Sequence, residues 1–154
     1  MIEVAKTLLQ HGINPLATSM DKRPLSRWND LQHQLLSTDA LPDMFGRASA
    51  IATINGQISG GLMVLDFEGQ SHGVDCLFEP WLESLQSESK SLTDKLIYHT
   101  TGGGGYHVRF RCPSDVRSSQ ELAKSKDGKV LIELRGKGGY TLCPPSTGYQ
   151  WVVG

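Results

Sequence analysis

The alternation of apolar and polar residues divides the chain into short helical and extended stretches. Residues 2–11 place Ile2, Val4, Ala5, Leu8 and Leu9 on one helical stripe, which Gly12 ends. The following NPLATSMDKRPLSRWNDLQ is polar, marked by proline, and reads as a loop. Helices are predicted near 28–37 and 39–46, the second capped by Thr38 or Asp39. Apolar AIATI (50–54) reads as a buried strand, and a glycine-rich turn (55–61) separates it from LMVLDFE (62–68), the strongest strand in the chain. Residues 73–88 predict a helix, SESKS an exposed loop and LIYHT (96–100) a strand. YHVRFRC (106–112) alternates as a half-buried strand does, and a helix is predicted near 119–125. VLIELR (130–135) and GYTLC (139–143) make a last pair of strands around GKGG. Helices mixed with hairpin-connected strands predict an α+β fold rather than a doubly wound sheet.

Composition narrows the class without naming a chemistry. A chain of 154 residues, 38% hydrophobic and 20% charged, suits one soluble domain over 1–154. No run approaches the ~18 to 20 apolar residues of a membrane span, so no membrane partner is expected. The start, MIEVAKTLLQHG, lacks the features of a signal peptide. Cys76, Cys112 and Cys143 are far apart, which indicates neither a disulfide framework nor a zinc ribbon. A reducing, cytoplasmic setting is the expectation. The net charge of −1 is neutral as to partners, but its distribution is not. From Asp66 to Asp94 seven acids face one lysine, and from Arg109 to Lys137 eight Lys or Arg face four acids. That asymmetry suits a site that gathers cations beside a surface that gathers phosphates, or the solvated faces of two elements.

Asp66 and Glu68 sit two apart at the end of an apolar strand, so period-two alternation puts both on one face. Like charges side by side need compensation, and hard carboxylate oxygens suit Mg²⁺ or Mn²⁺. Glu133 interrupts VLIELR, sharing one face with Leu131 and Arg135. Three carboxylates from two strands can hold two metals ~3.5–4 Å apart, as nucleotidyl-transfer sites do, although acids on a solvent face give the same pattern. The run TGGGGYHVRF (101–110) is the other oddity. Four glycines ahead of a strand are either a slack turn or a backbone that must approach something closely, with His107 aimed at the same place. Arg109 shares a strand face with His107 and reads as a phosphate contact or as a surface charge. Lys22, Arg23 and Arg27 touch nucleic acid or lie solvated, Trp28 reads as core, and His11, His33, His72 and His99 read as structural.

Taken in order, KRPLSRW (22–28), GLMVLDFEG (61–69), TGGGGYHVRF and IELRGKGGYTLCPPSTGYQW (132–151) resemble the bifunctional DNA primase/polymerase domain of the archaeo-eukaryotic primase superfamily. The likeness spans roughly 22–151. It implies an N-terminal α/β unit packed with a unit like an RNA-recognition module, and an active site in the cleft between them. It implies nucleotide addition from NTP or dNTP to a primer 3′-hydroxyl or starting strand, on a single-stranded DNA template, at a two-metal Mg²⁺ or Mn²⁺ site. By motif position Asp66, Glu68 and Glu133 would be the catalytic metal ligands. His107 would contact the nucleotide phosphates, helped by Thr101, Gly104, Gly105, Arg109 and Arg135. Of the glycines, only those nearest His107 are expected to line the pocket. Domains of this family usually precede a helicase or a helical accessory region. A helicase domain or subunit is therefore an expected partner, and the chain reads as a piece of a longer plasmid, phage or mobile-element replication protein. The competing readings are a noncatalytic nucleic-acid or nucleotide-binding module on the same scaffold and a rolling-circle initiator nuclease. The latter wants a second histidine where Arg109 stands.

Overall fold

A computed structural model describes residues 1–69 and 75–153. Two antiparallel sheets carry the fold. The smaller consists of β1 (Pro15–Thr18), β2 (Ala50–Ile54) and β8 (Tyr140–Cys143), in that spatial order. The larger contains β3 (Leu62–Phe67), β4 (Ile97–Thr100), β5 (Tyr106–Arg111), β6 (Gln120–Lys124), β7 (Val130–Arg135) and β9 (Gln150–Val153). Its order is β6-β7-β3-β5-β4-β9. The mixture of helices with two antiparallel sheets bears out the α+β class.

Each sheet takes its helices from its own apolar face. Ala17, Ile51 and Cys143 of the small sheet pack against helix α1 (Ile2–Gln10) and helix α2 (Leu41–Phe45) through Ala5, Leu41 and Phe45. Its other face, with Leu16, Ala50, Ala52, Ile54 and Leu142, is covered by Trp28, Leu31, Ile58 and Tyr149. Trp28, expected in the core, is half-buried and packs on the core's edge, standing edge-on to Tyr140 at 5.1 Å. In the large sheet, Phe67 and Val108 pack on helix α3 (Phe78–Glu88), where Phe78 stacks on Tyr106 at 4.0 Å. Burying so many aromatics on one side leaves the opposite face of the large sheet free to carry polar groups. No helix among the described residues is long and apolar enough to cross a membrane.

Several expected elements differ. The helix expected over 28–37 is only a 3-10 turn at Asp30–Gln32, because Asn14 captures the carbonyls of Leu31 and Gln34 and the amide of Leu36. Neither Thr38 nor Asp39 caps α2: Ser37, whose hydroxyl accepts from the Asp39 amide, caps a 3-10 turn at Thr38–Ala40, and α2 follows from Ala40 without a side-chain cap. The helix expected over 73–88 begins at Phe78, and its expected first residues lie partly outside the described ones, as does His72. Part of the expected SESKS loop is helical: α3 reaches Glu88, and α4 spans Lys90–Thr93. The helix expected near 119–125 is strand β6, because the Ser125–Gly128 turn folds it back on β7 and cross-strand pairing overrides helix-forming side chains. PLAT, expected within a loop, is the fully buried β1. Strands β7 and β8 do not pair; the Gly136–Gly139 turn carries the chain from the large sheet to the small one.

Candidate functional site

Register brings the chemistry of separate motifs into one row. On β3, Asp66 faces His107 of β5 on one side and Glu133 of β7 on the other. The row continues from Glu133 to Glu121 and from His107 to His99 and Trp151. Residues directly opposite in antiparallel pairs share a face, so these six side chains lie on the side away from α3. Two residues along each strand, Arg135, Val64, Arg109 and Ile97 form a second row on the same face.

Asp66 holds the centre. Its Oδ1 lies 3.3 Å from His107 Nε2 and its Oδ2 lies 3.3 Å from Arg135 Nε. The same guanidinium reaches Glu133, with Nη2 to Oε2 at 3.1 Å. Burial pulls the Asp66 carboxyl upward, but the hydrogen bond and charge of His107 and those of Arg135 outweigh it and hold it below its ordinary value. Glu133 moves the other way: burial raises it, and the charges of Asp66, Glu121 and Glu68 add to this against the pull of Arg135. Two neighbouring carboxyls are therefore driven apart, one firmly ionised and the other more ready to hold a proton.

The small sheet closes over this row through the edge of β8. His107 Nδ1 donates to the Leu142 carbonyl at 3.3 Å, which leaves Nε2 turned to Asp66. Arg109 Nη2 donates to the same carbonyl at 2.9 Å and to Thr141, while its Nη1 donates to Thr53 at 2.7 Å. Its Nε donates to His99 Nε2 at 3.0 Å. An imidazole nitrogen that accepts there must be unprotonated, and burial together with the Arg109 charge pushes the His99 pKa down to about 3.

A cavity of about 290 Å³ opens where the two sheets meet, lined by Asp66, His107, Arg135, Lys22, Tyr149, Gly139 and the β8 residues Tyr140–Leu142. Lys22 is the only described non-glycine residue with positive φ, at 64°, and its carbonyl accepts from the Tyr140 hydroxyl at 2.8 Å. Backbone in that region costs roughly 1–2 kcal/mol, so its surroundings hold it there. Burial raises the Tyr149 phenol above its ordinary range, and the charge and hydrogen bond of Lys22 partly offset this.

Of the residues singled out from sequence, Asp66, Glu133, His107 and Arg135 come together. Glu68 follows β3, its amide donating to the Leu131 carbonyl, and its charge reaches Glu133. Arg109 lies behind the cavity wall rather than in it. Thr101, Gly104 and Gly105 form the β4–β5 turn, outside that wall as well. Thr101 Oγ1 accepts from the Gly105 amide, Gly104 takes φ of +76°, and Gly102 and Gly103 are exposed. The glycine run makes its close approach to the chain itself: a Cβ on Gly105 would overlap the Phe67 carbonyl oxygen. Sequence reasoning missed Tyr149 and the Leu142 carbonyl as lining groups. Only the aromatic between two turn signals in STGYQW hinted at the first, and a backbone carbonyl leaves no trace in composition. Among the described residues no group of three or more His, Cys, Asp or Glu side chains has the geometry of a metal cage.

A family model described as the N-terminal domain of bifunctional DNA primase/polymerases matches residues 5–154. No curated protein matches the sequence.

Proposed function

The chain belongs to the bifunctional DNA primase/polymerase family, and we propose that its Asp66 cavity binds a nucleoside triphosphate and adds it to a primer or starting strand on a DNA template. Membership supports primase or polymerase activity at the level of the family. The observation that carries the reading to these residues is the Glu133–Asp66–His107 row, bridged by Arg135 and opening into a cavity that Lys22 also lines.

The cavity has three basic or ionisable nitrogen side chains, Lys22, Arg135 and His107, against one lining acid, Asp66. Such a balance favours a polyanion, and the mixed arrangement orients it, with phosphates toward the cations and the reacting hydroxyl toward the carboxylate. His107 is held by the Leu142 carbonyl and Asp66, so its imidazole cannot swing when a phosphate arrives. Lys22 contributes a positive charge beside Tyr149 from a fixed backbone.

The donor chemistry also fits Mg²⁺ or Mn²⁺. Asp66 and Glu133 offer hard oxygens side by side, the donors such ions take, and the Arg135 guanidinium balances their charge when no ion is bound. Asp66, Glu133 and Glu68 would hold the ions, which when bound would activate the 3′-hydroxyl and neutralise charge on the departing pyrophosphate. Arg135 shares the face of both acids and keeps them poised before any ion binds. The order β7-β3-β5-β4, with α3 between β3 and β4, supports the expected likeness to an RNA-recognition module. The opening between the two sheets supports the expected cleft.

The test supplies labelled NTPs or dNTPs, Mg²⁺ or Mn²⁺, and single-stranded template with and without a primer. Lengthened or newly made strands support the proposal. No product from either nucleotide class, with either ion, in either case would overturn it.

A further inference from the structure

The same polar sheet face carries a second, larger cavity, about 490 Å³, on the far side of the Arg109 bridge. It lies between α1 and the β4–β9 edge, and its charged lining is entirely basic: Lys95, Arg109 and Arg111, with no acid among the lining residues. Leu8, Ile97 and Trp151 are among its apolar walls. We infer that this cavity holds a nucleotide unit of a single nucleic-acid strand, its base stacked on Trp151 and its phosphates on Lys95 and Arg111.

Three observations converge. First, Arg109 is 8% exposed and makes four hydrogen bonds, all to neutral acceptors on His99, Thr53, Thr141 and Leu142. A buried cation without a carboxylate is costly, and an anion in the cavity it lines supplies the missing charge. Second, Trp151 is 49% exposed while its ring stands edge-on to buried His99 at 5.0 Å. A braced, half-exposed indole is a stacking platform that accepts any base, and cations without acids track any backbone. Third, Trp151 occupies the Asp66 row, three strands away, or about 14 Å at the usual strand spacing. A strand seated on Trp151 therefore runs beside the Asp66 cavity without filling it.

Strand binding at this cavity is independent of the catalytic reading, and its test needs neither nucleotide nor divalent ion. Fluorescence anisotropy of a labelled oligothymidine is measured against wild type, Trp151→Ala and the double variant Lys95→Ala/Arg111→Ala, over a salt series. Circular dichroism confirms that each is folded. Trp151→Ala should weaken binding about tenfold. The double variant should weaken it and flatten the salt dependence, by roughly 0.7 in log–log slope for each phosphate that the protein no longer neutralises. Unchanged affinity in both variants overturns the inference. So does a concentration-dependent dimer that Trp151→Ala dissolves while strand affinity is unchanged, because the cavity then holds a second copy. Strand binding that needs Trp151 in a protein that never extends a primer would sink the catalytic reading and leave this one. Extension indifferent to all three residues would do the reverse.

Discussion

Arg135 sits with its Nε 3.3 Å from Oδ2 of Asp66, and no other described Lys or Arg forms an ion pair with that carboxylate. The guanidinium does for the acidic row what a bound cation would do: it makes two adjacent carboxyls tolerable on one face.

Replacing Arg135 by Gln should therefore raise the Asp66 carboxyl and leave it facing Glu133 with only His107 for compensation. Nucleotide addition should fall on the order of 10²-fold, the usual loss when one charged group is removed from beside the reacting atoms. Divalent ions should raise the melting temperature of Arg135→Gln more than that of wild type. Equal ion-induced shifts in the two proteins would show that Arg135 does not stand in for the cation.

Lys22 separates stability from function. Its φ of 64° is strained for any residue with a Cβ, so Lys22→Gly should stabilise the fold by about 1 kcal/mol in urea unfolding. The same change removes an ammonium from the cavity and should weaken nucleoside triphosphate binding several-fold. A variant that is both less stable and unchanged in affinity would place Lys22 outside the site.

The glycines of the β4–β5 turn should not be equivalent. Gly105→Ala drives a Cβ into the Phe67 carbonyl oxygen, at the end of the strand that carries Asp66. It should cost roughly 3 kcal/mol or more and disturb activity with stability. Gly103→Ala meets only Thr101 Oγ1 at 4.0 Å and should be close to neutral, and Gly104→Ala should cost about 1 kcal/mol for its positive φ. Comparing the three midpoints by thermal unfolding checks the order.

Much of this site is legible in the sequence because it depends on period two. The apolar run of β3 ending in Asp66, the interrupted β7 and the half-buried β5 each declare a face without knowledge of the partner strand. What the period cannot supply is register: that Asp66 faces both His107 and Glu133 follows from hydrogen-bonded pairing over long separations. For the same reason β1 reads as loop, since its four buried residues begin with a proline, have polar neighbours and show no alternation. β6 reads as a helix because its exposed QELAK has good helix formers and only its pairing makes it extended. His99 reads as structural, and it is buried, but its bond from Arg109 brings it into the support of His107.

That bond predicts an acid sensitivity. His99 has a folded pKa of about 3 against an ordinary value of 6.5, so between these limits the unfolded chain binds a proton that the folded one does not. Stability from this group is fully present above pH 6.5 and is lost as pH falls toward 3, with a limiting slope of about 1.4 kcal/mol per pH unit. His99→Gln keeps an acceptor for Arg109 but does not titrate, and should flatten the decline in urea-unfolding stability between pH 6.5 and 4.5. An equally steep decline in the variant would rule out a buried neutral His99.

The proposed function turns on Asp66 as the acidic centre of a nucleotide-adding site. Its decisive check is primer extension on a single-stranded template, with Mg²⁺ or Mn²⁺, run side by side for wild type and for Asp66→Asn shown to be folded. Wild type should extend the primer, and the variant should lose on the order of 10³-fold or more of that rate. Extension by Asp66→Asn at the wild-type rate would refute the role given to Asp66.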